Sequence, residues 1–68
     1  MTYYTLRIFN ERTLLETLTT KKKLHRSPNH NALRSLAIQL GADEIEVYKS
    51  DRYGDYQDYV KSILFDLK

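Results

Sequence analysis

The chain has 68 residues, no cysteine, and 11 Lys and Arg against 9 Asp and Glu, for a formal net charge of +2. A chain this short makes one domain with a small buried fraction, and the missing cysteines exclude disulfides, thiolate zinc sites and thiol nucleophiles. The charge is too small to mark a nucleic-acid binder by itself, while 41% hydrophobic and 29% charged residues are the balance of a folded chain. No basic leader with an apolar core opens the sequence, and no stretch approaches the roughly 20 apolar residues of a membrane span, so a soluble, unprocessed, cytoplasmic protein is expected.

In chain order, "YYTLRIFN" alternates, with Tyr4, Leu6 and Ile8 on one side and Tyr3, Thr5, Arg7 and Phe9 on the other, which predicts a strand. "TLLETLTT" also fits a helical face through Leu14, Leu15 and Leu18. Its threonines favour a second strand at about 13–20, with a hairpin turning at "NER". "SPNHNALRSLAIQLGA" predicts a helix at about 28–40, with Ser27 as cap, Pro28 at the first helical position and Gly41 just past the end. Leu33, Leu36, Ala37 and Leu40 share one helical face, which Ala32 and Ile38 widen. "EIEVYK" predicts a third strand, with Ile45 and Val47 opposite Glu46 and Tyr48.

The last segment fits two patterns. As a helix it gathers Tyr56, Tyr59, Val60, Ile63, Leu64 and Leu67; as a strand it aligns Tyr59, Ile63, Phe65 and Leu67, with Lys61 interrupting the row. Pattern counting favours the helix. The expected fold is therefore α+β, a two-layer single domain over 1–68: a ββαβ core with the helix packed on one face of a small sheet, followed by a C-terminal helix, or alternatively by a fourth strand in a ββαββ order. Were the second and third strands parallel neighbours, the helix would form a right-handed crossover between them.

Motifs that carry chemistry are scarce. His25 and His30 flank a proline without further ligands at zinc-like spacing, and Asp51, Asp55 and Asp58 beside Gly54 lack the alternation and distant glutamate of a calcium loop. No nucleophile-and-base arrangement or phosphate-cradling glycine loop occurs, so neither enzyme activity nor a metal or cofactor is expected. The basic run Lys21, Lys22, Lys23, His25 and Arg26, with Arg34 nearby, could meet phosphates beside the helix start. Tyr3, Arg7, Phe9 and Tyr48 could gather on a bare sheet face, the arrangement on which single-stranded RNA bases stack.

Six tyrosines with no tryptophan and two phenylalanines suit a surface better than a core, because the ring packs while the hydroxyl stays wet. The leading expectation is a small non-enzymatic protein-interaction module, an inhibitor or adaptor that occupies a surface of a larger partner through Tyr48, Tyr53 and Tyr56, with a homodimer as a further option. Its composition suits an accessory protein of a virus or mobile element. The alternative is a nucleic-acid binder using Lys21, Lys22, Lys23 and Arg26 with Arg7 and Tyr3.

Overall fold

The structure is a computed structural model that describes residues 1–66. Its elements are β1 (Tyr3–Asn10), β2 (Thr13–Thr19), α1 (His30–Leu40), β3 (Glu44–Ser50) and β4 (Asp58–Leu64). The strands form one antiparallel sheet in the order β2-β1-β3-β4, making the protein a small α+β domain. β2 and β3 run in the same direction, but they are not neighbours as the crossover picture requires: β1 lies between them and pairs antiparallel with both.

The alternation in β1 and β3 sets the core. Leu6 opposes Val47 and Ile8 opposes Ile45, so these side chains share the face on which α1 packs. Ile8, Ile45, Val47 and Leu33 are fully or almost fully buried, with Tyr4, Ala37, Ala42 and Phe65 around them. Each large aliphatic group contributes about 1.5–3 kcal/mol through removal from water. Leu18, Leu36, Leu40, Val60 and Ile63 close the rim.

The helix starts later than the sequence suggests. Asn29, not Ser27, is the cap: its Oδ1 accepts the Ala32 N–H at 2.8 Å, leaving Pro28 outside the first turn. At the other end Gly41 takes the left-handed conformation, at φ 68°. The N–H groups of Gly41 and Ala42 donate to the carbonyls of Ile38 and Ala37, the paired closure of a Schellman motif. Ile38 and Ala32 do not widen the buried face. Both point to solvent, Ile38 at 57% exposure, because one helix over a narrow sheet buries little beyond Leu33 and Ala37.

The favoured C-terminal helix is replaced by β4. Tyr59, Val60 and Ile63 are strand formers, and the free edge of β3 supplies a ladder for them, a tertiary gain that outweighs the helical spacing. Val47 opposes Lys61 while Tyr48 opposes Tyr59, so Val60 is the extra residue of a β-bulge. The bulge lets Val60 pack on the core and puts Tyr59 on the face opposite Ile63 and Phe65, which a regular strand cannot do. Leu67, which belonged to both sequence patterns, lies outside the described residues.

Two connections shape the ends. Glu11 and Arg12 link β1 to β2 with φ of 49° and 68°, the two-residue turn whose right-handed twist matches the strands, here without glycine or asparagine. Asp43 ties this tip to the rest: its Oδ2 accepts the Glu11 N–H, its own N–H donates to the Phe9 carbonyl, and its carbonyl accepts the Phe65 N–H. Two successive left-handed non-glycine residues carry a cost of roughly 1 kcal/mol or more each. The double substitution Glu11→Asn/Arg12→Gly is therefore expected to stabilise the fold by about 1 kcal/mol, read as a higher denaturant midpoint at unchanged slope. An unchanged or lower midpoint would refute the strain at this turn.

Candidate interaction surface

The face of the sheet away from α1 carries Tyr3, Thr5, Arg7 and Phe9 from β1, Glu44, Glu46 and Tyr48 from β3, and Tyr59, Ser62 and Leu64 from β4. No helix covers it. The β3–β4 connection instead folds part of itself back across the face. Ser50, 3% exposed, anchors that loop by accepting the Arg52 N–H on Oγ and hydrogen bonding to Gln57. Gly54, at φ 79°, supplies the left-handed corner of a turn closed from the Asp55 N–H to the Arg52 carbonyl, and Tyr53 sits beside it.

Five of the six tyrosines thereby converge. Tyr53 meets Tyr3 edge-to-face with centroids 5.6 Å apart, and Tyr48 receives Tyr56 at 5.3 Å and Tyr59 at 5.7 Å in the same manner. The sixth, Tyr4, belongs to the core. Beneath the rings Thr5 is 1% exposed, and its hydroxyl meets that of Thr19 at 3.1 Å. Tyr53, Tyr56 and Tyr59 remain 64%, 44% and 59% exposed, and Leu64, at the Glu44 end of the same face, is 78% exposed. Tyr56 and Tyr59, expected to be partly buried in a helix, are surface rings because their segment is a loop and a bulged strand.

Cations are interleaved with the rings. Arg7 lies 5.4 Å from the Phe9 centroid and 5.7 Å from that of Tyr56, and it forms an ion pair with Glu46 at 3.6 Å. The same Glu46 oxygen accepts the Tyr48 hydroxyl at 3.1 Å. Desolvation within the cluster, followed by this hydrogen bond to a carboxylate, pushes the Tyr48 phenol above its ordinary value, against a smaller opposing effect of Arg7.

The basic segment joins this surface at one point. A bridge between Thr2 and Leu24 pins residues 21–26 beside the start of β1, and Lys23 Nζ sits 5.7 Å from the Tyr3 ring centre. Lys21, Lys22, His25 and Arg26 are exposed, and Arg34 is exposed on α1, in the other layer. From the residues singled out in the sequence, the structure thus brings Tyr3, Tyr53 and Lys23 together at one end of the face and Arg7, Tyr48 and Tyr56 together in its middle, and adds Tyr59 and Glu46 to the second group. Among the described residues no three His, Asp or Glu converge as a metal site. An open depression of about 370 Å³ lies elsewhere, lined by residues of mixed charge that include His25, Lys49, Asp51 and Asp58. None of the helices is long and apolar enough to cross a membrane, among the described residues.

No family model, no curated protein and no solved structure matches the chain.

The Tyr48 shift carries a sign. Folding favours the protonated phenol, so this contribution to stability is complete below the unfolded value near 10 and is lost as pH rises through the folded one. In an ultraviolet titration Tyr48→Phe should remove a phenol step that lies above the ordinary value; a titration unaltered by the substitution, beyond the loss of one ordinary phenol, would refute the assignment.

Proposed function

We propose that the protein is a non-enzymatic protein-interaction module, an inhibitor or adaptor that lays its tyrosine face on a larger partner. The observation that carries the reading is that five tyrosines share one uncovered sheet face, Tyr48, Tyr56 and Tyr59 in a group beside Arg7 and Tyr3 with Tyr53 in a pair beside Lys23. Tyr and Arg are the side chains in which binding energy concentrates, since they give large contact area at small entropic cost while their polar ends stay satisfied. The hydroxyls of Tyr48 and Tyr59 already have partners in Glu46 and Ser62. These bonds hold the two rings in place as a floor, and Tyr53 and Tyr56 rise from the loop as anchors.

The nucleic-acid reading draws on Lys23 joining the basic segment to this face. It is the weaker of the two for a physical reason. The rings that would stack bases already meet one another or lie under Arg7 and Lys23, and Glu44 and Glu46 on the same face oppose phosphate. A home in a virus or mobile element, as an accessory factor, fits a small module of this kind.

The test is affinity capture from the source cell with the wild-type chain and with Tyr53→Ala/Tyr56→Ala. Captured protein should fall by at least about tenfold, while loss of two ring contacts costs about 1–3 kcal/mol of stability and leaves the domain folded. Full capture by the folded variant would overturn the reading, and capture abolished by nuclease would transfer the function to nucleic acid.

A further inference from the structure

The tyrosine face is electrically polarised along the strands. At the Tyr3 end stand Lys21, Lys22 and Lys23, with Lys23 over the Tyr3 ring. At the opposite end stand Glu11 on the hairpin tip, Asp43 bonded to it, and Glu44 across from Phe9; Arg12, beside Glu11 on the tip, offsets part of this negative charge and leaves an excess of carboxylates. Asp51 and Asp55 temper the basic end, but they lie on the β3–β4 loop with Arg52 between them and Tyr53 beside it. Six residue steps along β1 separate Tyr3 from Phe9, about 20 Å, so the two ends do not neutralise each other through salt-containing water.

We infer that this face is self-complementary and that a second copy of the chain occupies it in an antiparallel, two-fold dimer. A two-fold axis through the middle of the face, near Thr5 and Arg7, carries the lysine end of one protomer onto the Glu11 and Glu44 end of the other. It sets the Tyr48, Tyr56 and Tyr59 rings of the two copies near one another about the axis, lays the Tyr3 and Tyr53 pair of each on its partner's Glu44 end, and seats the exposed Leu64 of each copy beside its partner's basic end. Each contact then occurs twice, as an isologous interface requires. Burial of Tyr53, Tyr56, Tyr59 and Leu64 supplies apolar area that one helix and a four-stranded sheet leave open, the kind of reinforcement that very small domains draw from oligomerisation. The inference rests on the interaction-surface reading above and names the resting occupant of that surface, which a larger partner would displace.

The full chain should show a reversible monomer–dimer equilibrium in analytical ultracentrifugation, weakening as salt rises. Lys21→Glu/Lys23→Glu places like charges at both contacts, as does Glu11→Lys/Glu44→Lys, and each variant should dimerise at least about tenfold more weakly. An equimolar mixture of the two restores opposite charges at both contacts, so a heterodimer should appear by native mass spectrometry. The wild type also provides a readout that needs no charge variant: nitration of Tyr53 and Tyr59 should slow as protein concentration rises. A wild type that stays monomeric with concentration-independent nitration overturns the dimer, as do folded charge variants that mix without forming a heterodimer. Monomeric protein whose partner capture still depends on Tyr53 and Tyr56 would remove the dimer and keep the module; a dimer whose capture ignores these tyrosines would do the reverse.

Discussion

Pairing of β1 on both of its edges is the constraint on which the rest of the molecule depends. Because β2 and β3 both bond to it, β1 lies in the middle of the sheet, as β3 does between β1 and β4, and its strict alternation divides its two faces. Tyr4, Leu6 and Ile8 meet the helix, and Tyr3, Thr5, Arg7 and Phe9 meet whatever covers the other side. A register slip of one residue would exchange these sets, burying Arg7 and exposing Ile8. With a single helix among the described residues, only one side is sealed in the ordinary way.

The second side is sealed halfway, and by a different means. The loop between β3 and β4 brings rings across it instead of an apolar helix stripe, and Arg7 and Glu46 place a charged pair among them. At 37% and 24% side-chain exposure the pair is still wetted, so its contribution to stability is modest. Its larger effect is geometric: Arg7 spans Phe9 and Tyr56, while Glu46 fixes the Tyr48 hydroxyl. A surface held this way is ordered before anything binds, which lowers the entropic cost of recognition.

Much of the fold is legible in the sequence where strands are regular. β1 and β3 keep period two throughout, so their faces, and with them the grouping of Tyr3, Arg7, Phe9 and Tyr48, follow from alternation alone. β4 does not, because the bulge at Val60 breaks the period. The resulting spacing of Tyr56, Tyr59, Val60, Ile63 and Leu64 coincides with that of a helical face. The helix start is blurred for a local reason: Ser27 and Asn29 are both good caps around one proline, and only the bond to Ala32 decides between them. Positions of Tyr53, Tyr56 and Lys23 depend on contacts distant in sequence, with Tyr3, with Arg7 and through the Thr2–Leu24 bridge, which no local pattern encodes.

Directly after the helix exits, Asp43 joins two parts of the chain that are far apart in sequence, the end of β1 with its hairpin tip and the residue that follows β4. A residue with its amide, carbonyl and carboxylate all committed to these two parts leaves no seam along which one of them can open alone. Fraying of the C-terminal strand releases the Asp43 carbonyl, and with it the restraint on a hairpin tip already in an unfavourable conformation. The molecule therefore has no small subunit of structure to lose first at this end, and its slowest-exchanging amides are those of the whole domain unfolding together.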